Sequence, residues 1–138
     1  MTVGIVGLGL IGGSAAKAYK ANSEHRVLGY NRNPVISEYA VLSGDIDEVM
    51  DDNNIGECDF IILSLYPAAT IDFMEKKAHL FKKGCLVMDF CGTKRMVCKA
   101  GFELAESTDL PLSAVTLWRV LSIRALKMPR PQCSRAPR

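Results

Sequence analysis

Near the amino terminus, Gly7, Gly9 and Gly12 stand in the spacing G-x-G-x-x-G, a pattern able to hold a pyrophosphate. Each glycine has its own mechanical part in such a turn. The first permits a tight reversal, the second lets backbone approach the phosphates, and the third lets a helix pack closely on a strand. Leu10 and Ile11 lie between the second and third, where the new helix turns its free N–H groups and positive dipole end towards an anion. Alone, the spacing is weak evidence, because glycine-rich turns are common. Here an apolar strand, Thr2 to Val6, runs into it and a helical stretch, Ser14 to Tyr19, runs out, which is the context a dinucleotide site requires.

Such a site also needs a ribose contact at the end of the second strand, usually an Asp or Glu about 20 residues further on. Asn31 holds that place and Arg32 follows it. Asn bonds a ribose hydroxyl without repelling a 2′-phosphate, and Arg32 can pair with one. A turn-forming Asn beside a solvated Arg is the plainer reading. NAD and NADP therefore both stay open, with a lean towards tolerance of NADP. Two later loops fall at the carboxyl edge of the expected sheet, where ligands bind. One contains Leu65, Tyr66, Pro67 and Thr70, and the other Cys91, Gly92, Thr93 and Lys94. Tyr66 and Pro67 are placed to pack on the nicotinamide-side ribose, and Thr70 to cap the helix that follows. Lys94 is placed to meet a substrate carboxylate, though a lysine at a helix start is commonly just a solvated charge. His25 and His79 sit beside charged neighbours and read as surface residues, while Asp89 reads as a loop organiser.

These residues need an α/β scaffold. Strands are expected at Thr2 to Val6, Arg26 to Tyr30, Phe60 to Leu65 and Cys85 to Phe90. The last two are near-continuous apolar runs of the kind buried on both faces of a parallel sheet. Asn33 and Pro34 open a helix that runs to Ser43, before Gly44. Residues 45–57 are mixed and acidic, and suggest a short helix with loops. Helices are also expected over Thr70 to Phe81, with Ile71, Met74 and Ala78 on one stripe, and over Lys94 to Glu106, with Met96, Ala100 and Leu104 aligned. The alternation predicts a doubly wound parallel sheet. It stops near Glu106, before a sixth strand, so the sheet is expected to be incomplete at its C-terminal end.

A length of 138 residues suits one domain and is short for a two-domain enzyme. The longest apolar run falls far short of the ~20 residues needed to cross a bilayer, and no basic segment precedes Thr2 to mark a secretory signal. Cys58, Cys85, Cys91, Cys98 and Cys133 form no C-x-x-C pair and have no histidine at ligand spacing. They read as thiols in a reducing cytoplasm, with neither a metal site nor a disulfide framework. The charge is uneven: residues 1–106 carry 11 Lys and Arg against 14 Asp and Glu, residues 107–138 carry 6 against 1, and four of the six prolines fall in the tail. A basic, proline-rich tail can be an arm for nucleic acid or membrane, but a different origin, given below, accounts for it without such a partner.

Taken together, Gly4 to Ser14, Leu28 to Arg32, Ala68 to Thr70 and Asp89 to Lys94 resemble the prephenate/arogenate dehydrogenase family, over residues 2 to about 106. The resemblance implies a Rossmann-like domain and a cytoplasmic oxidoreductase of tyrosine biosynthesis. Members use NAD or NADP to oxidise and decarboxylate prephenate to 4-hydroxyphenylpyruvate. It implies that Gly7, Gly9, Gly12, Asn31 and Arg32 hold the cofactor and that Cys91 to Lys94 border nicotinamide and substrate. Many relatives carry a serine where Gly92 stands. The family's catalytic histidine belongs to a Gly-Gly-His-Pro-Met-Ala-Gly segment on the next strand, and its dimer is built by a helical second domain. Neither is found in these 138 residues, so no catalytic residue is assigned here.

The tail supplies a reason. Synonymous codons exist for Leu112 to Ile123 that, read from the third base of the first, spell Val-Gly-Gly-His-Pro-Met-Ala-Gly-Thr-Gln-Tyr. Residues 107–138 are therefore expected to be out-of-frame translation, and the chain a cofactor-binding fragment with negligible turnover. Two other readings stay in view: a stand-alone nucleotide-sensing module, and another nicotinamide enzyme such as a 3-hydroxyacid dehydrogenase or a pyrroline carboxylate reductase.

Overall fold

The computed structural model describes residues 1–92 and 94–107, so Thr93 and the basic tail beyond Ser107 lie outside the described residues. Among the described residues, five strands form one sheet: β1 (Thr2–Val6), β2 (Arg26–Tyr30), β3 (Glu48–Val49), β4 (Phe60–Leu63) and β5 (Leu86–Asp89). Every pairing is parallel and the order is β3-β2-β1-β4-β5. Four helices accompany them: α1 (Leu10–Asn22), α2 (Pro34–Leu42), α3 (Pro67–Lys77) and α4 (Lys94–Ser107). This is the Rossmann-like architecture that the alternation predicts. The chain builds outwards from β1 to β3, then crosses back to β4. The order reverses between β1 and β4, which opens a crevice beyond their carboxyl ends.

Successive side chains of a strand point to opposite faces, and both faces here are covered. Val3, Ile5, Val27 and Ile62 pack with Ala16 of α1 and Ala40 of α2. Val6, Leu28, Ile61, Leu63 and Val87 pack on the other side with Met74 of α3 and Val97 of α4. Each such burial contributes about 1.5–3 kcal/mol, which is why these strands read as unbroken apolar runs. Cys58, Cys85, Cys91 and Cys98 are buried thiols. Burial pushes the Cys58 thiol up to about 11 and that of Cys85 up to about 12, so both stay neutral at physiological pH.

Three local expectations change. Residues 45–57 form an edge strand and a single 3-10 turn (Ile55–Glu57), not a short helix. The open edge of β2 captures them: Asp47 donates its N–H to the Val27 carbonyl, and Met50 to that of Gly29, both at 2.8 Å. Asp51 then draws the N–H groups of Asn53 and Asn54 onto its carboxylate, a local bonding pattern that competes with helix. Helix α3 begins at Pro67 and not at Thr70, because proline suits a first helical position and Tyr66 precedes it as cap. On α4 the buried residues are Val97, Cys98 and Gly101, whereas Met96 is exposed, so the helix is rotated from the expected stripe. The second helix ends at Leu42, one residue before the expected Ser43, which caps it, and Gly44 follows at φ 75°. Among the described residues no helix is long and apolar enough to cross a membrane, and no group of three acidic, His or Cys side chains is placed to hold a metal.

Asp59 ties the starts of β1, β4 and β5 together. Its carboxylate accepts from Lys82 at 2.5 Å and from the Thr2 N–H at 2.8 Å. The Lys82 bond, then that from Thr2, holds this carboxyl below its ordinary value. A lowered native value means that its stabilisation is complete above the ordinary aspartate value, about 3.9, and is lost as pH falls through the native one. Asp59→Asn is therefore expected to lower the melting temperature at pH 7, with the gap to the parent chain closing below about pH 4; thermal melts across that range check it.

Candidate dinucleotide site

At the carboxyl end of β1 the three glycines take three different geometries. Gly7 adopts φ 92°, and a Cβ there would lie 2.4 Å from the Ser64 carbonyl oxygen. A Cβ on Gly12 would lie 1.8 Å from the Gly7 carbonyl oxygen, so only glycine lets α1 sit this close to the turn. Around Gly9, by contrast, a Cβ would meet nothing within 4 Å. Gly7 and Gly12 make the fold fit, and Gly9 faces open space.

Gly9 caps α1 with no side-chain bond, and no acidic residue lies in the first turn. Helical bonding starts with the Gly13 N–H to the Gly9 carbonyl at 2.8 Å. The N–H groups before that point have no intrahelical acceptor and concentrate the positive end of the helix dipole at the crevice. Leu10 and Ile11 flank them, 93% and 58% exposed. An anionic diphosphate fits this cradle by charge and by space.

At the end of β2, Asn31 is built into the scaffold. Its Oδ1 accepts the Leu8 N–H at 3.2 Å, its Nδ2 donates to the Asn33 carbonyl at 3.3 Å, and its own N–H donates to Ser37 Oγ at 3.0 Å. The Gly7 N–H joins the same seam by donating to the Tyr30 carbonyl at 2.7 Å. Asn31 thus braces the glycine turn through one lone pair of its Oδ1. Arg32 is exposed and forms no ion pair among the described residues. Ser37 was not foreseen as part of the site; a lone serine on the sheet-facing side of an apolar helix is the signal that would have found it.

The other rim comes from β4 and β5. Tyr66, 87% exposed, and Pro67 stand at the start of α3, which again has no side-chain cap and no acid in its first turn. Thr70 was expected to cap that helix and meet cofactor, yet it lies within α3 and is wholly buried. Its Oγ1 reaches the Leu65 carbonyl at 3.4 Å and Cys91 Sγ at 3.3 Å. Cys91 is buried too, with its thiol on the Leu65 carbonyl at 3.2 Å. Both side chains stand behind the crevice wall. Asp89 does organise a loop, accepting the Cys91 N–H at 2.9 Å. Gly92 is exposed with room for a Cβ, and Lys94 opens α4. His25 precedes β2, at the opposite end of the sheet from the crevice, and His79 is exposed.

The glycines separate folding from binding. Gly12→Ala must push α1 off the turn, costing at least the upper part of the ~1–3 kcal/mol typical of overpacking, and should melt well below the parent chain. Gly9→Ala meets no atom, so its melting should be unchanged while its affinity for a nicotinamide dinucleotide falls roughly tenfold, about 1.4 kcal/mol. Parallel thermal melts and nucleotide titrations distinguish the two.

A family model described as prephenate dehydrogenase, nucleotide-binding domain, matches residues 15–108. No curated protein matches the sequence. Among solved structures, prephenate dehydrogenase from A. aeolicus, in complex with hydroxyphenyl propionate and NAD+, is 26% identical with a TM-score of 0.66. That match covers 78% of this chain and 38% of that one. Synechocystis arogenate dehydrogenase is 27% identical with a TM-score of 0.71, over 75% and 37% of the two chains. An imine reductase from Streptomyces aurantiacus, 21% identical with a TM-score of 0.67 over 85% and 39%, shares the fold. The chain spans less than two-fifths of the length of these relatives. With the family model matching well over half of its residues, from Ala15 onwards, this chain belongs to the prephenate dehydrogenase family.

Proposed function

We propose that this chain is the nicotinamide-dinucleotide-binding part of a cytoplasmic dehydrogenase that oxidises and decarboxylates prephenate or arogenate. The open space over Gly9, at the uncompensated start of α1, carries the reading. When bound, the nicotinamide supplies the two-electron acceptor. The chain's own residues bind and orient. The first-turn N–H groups of α1 hold the diphosphate, with Gly9 giving it room and Leu10 and Ile11 beside it. Tyr66 and Pro67 shape the nicotinamide end, and the loop from Gly92 through Thr93 to Lys94 borders the small-molecule substrate.

At the end of β2, Asn31 stands in the place of the carboxylate that would repel a 2′-phosphate, and the exposed Arg32 that follows is the charged group beside the ribose. NADP is therefore expected to bind at least as tightly as NAD. Arg32→Ala should weaken NADP about tenfold, the scale of a lost charge-assisted contact, and leave NAD nearly unchanged; calorimetric titration with each nucleotide measures this.

By the family resemblance the proton acceptor is a histidine, and His25 precedes β2 while His79 follows the far end of α3, so neither is taken for that role. We propose that it is encoded beyond Ser107 in another reading frame, and that the dimer-forming domain follows in that frame. Resequencing the gene across codons 100–125 should find the Gly-Gly-His-Pro-Met-Ala-Gly codons one base out of register; their absence defeats the proposal. The 138-residue chain itself should give negligible turnover of prephenate with either nucleotide, and robust turnover in a spectrophotometric assay of the reduced nicotinamide would overturn this reading.

A further inference from the structure

The buried contact between Thr70, Cys91 and the Leu65 carbonyl lies behind the nicotinamide end of the crevice and has no part in the reading above. We infer that Thr70 and Cys91 together are positioning residues that pin the Leu65 carbonyl inwards, thereby aiming the Tyr66 N–H at the crevice and locking its two rims to each other. The inference rests on the cofactor reading for its functional consequence, and on geometry for the clamp.

Thr70 Oγ1 lies 3.4 Å and Cys91 Sγ 3.2 Å from the Leu65 oxygen, and the two side chains are 3.3 Å apart. A carbonyl has two lone pairs, so it accepts from both. Alternatively Thr70 donates to sulfur while the thiol donates to the carbonyl. In a third arrangement the thiol donates to Thr70 Oγ1 and the hydroxyl to the carbonyl, so in each of them at least one of the two side chains donates to Leu65. Among the described residues every peptide is trans, and in a trans peptide the C=O and N–H point in opposite directions. A Leu65 carbonyl drawn inwards therefore sends the Tyr66 N–H outwards, beside an exposed side chain. Pro67 has no N–H, which makes the Tyr66 donor the first one available at this helix start.

Cys91 is fixed in turn, since its N–H donates to Asp89 Oδ1 at 2.9 Å. Leu65 ends the β4 side of the crevice and Cys91 begins the β5 side. Joining them through one carbonyl makes the nicotinamide rim and the substrate rim move as a single body. Neither group needs to touch a ligand to set the distance between them.

The test uses the parent chain and four variants, read by native-state alkylation of individual thiols and by titration with NAD and NADP. Thr70→Val keeps shape and removes the hydroxyl. It should raise the labelling rate of Cys91 several-fold while Cys58 and Cys85, deep in the core, stay at parent rates. Nucleotide affinity should fall about three- to tenfold, the scale of one hydrogen bond, and Thr70→Ser should restore both readouts. Should Thr70→Val not fold, Cys91→Ala against Cys91→Ser gives the same comparison in the titration, with only the serine retaining affinity. Parent-rate labelling of Cys91 in Thr70→Val, a rise shared by all three thiols, or no recovery in the conservative variants overturns the inference. Failure of the parent chain to bind either nucleotide defeats the cofactor reading instead, and the labelling arm still decides the clamp.

Discussion

A hydrogen in place of a side chain at Gly12 is what allows the rest of the site to exist. The space that a Cβ would need there is filled by the Gly7 carbonyl oxygen, so α1 rests directly on the turn that leaves β1. Gly7 in turn presses on the end of β4 at Ser64. Through these contacts the helix start, the first strand and the far side of the crevice share one rigid origin. The positive end of α1 then opens onto the place where the strand order reverses, which is where a ligand has access to both halves of the sheet.

Backbone donors do most of the work at this site, and side chains keep the backbone in place. Asn31 joins the glycine turn to the end of β2, and Ser37 holds Asn31 from α2. Thr70 and Cys91 do the corresponding service for the opposite rim. Each of these groups is polar, sheltered and bonded to the main chain, as buried polar groups must be. Among the described residues exposed at the crevice, Leu10, Ile11 and Tyr66 supply apolar surface and Arg32 a positive charge, beside the N–H groups at the start of α1. That combination suits a flat, anionic ligand with aromatic ends.

Much of this could be read along the chain. Phe60 to Leu63 is apolar throughout because both faces of its strand are covered, and Asn33-Pro34 marks a helix start because local bonding and a fixed φ favour it wherever it occurs. The three glycines showed the turn because their spacing reports backbone needs that no other residue meets. The segment 45–57 was misread, since its two-residue strand exists only by pairing with β2. Met96 was placed on the wrong face of α4 because one helical stripe predicts amphipathicity and not which neighbour the helix leans on.

The amino-acid sequence by itself determined the α/β alternation, the parallel sheet and the nucleotide turn. All of these follow from local propensity, hydrophobic period or glycine spacing, which act over a few residues. Only the tertiary structure decided that Asn31 braces the turn and that Thr70 and Cys91 face inwards. Those outcomes depend on hydrogen bonds between groups 21 to 26 residues apart, and the direction of such a bond is set by how strands are laid side by side, a matter on which neighbouring residues carry no information.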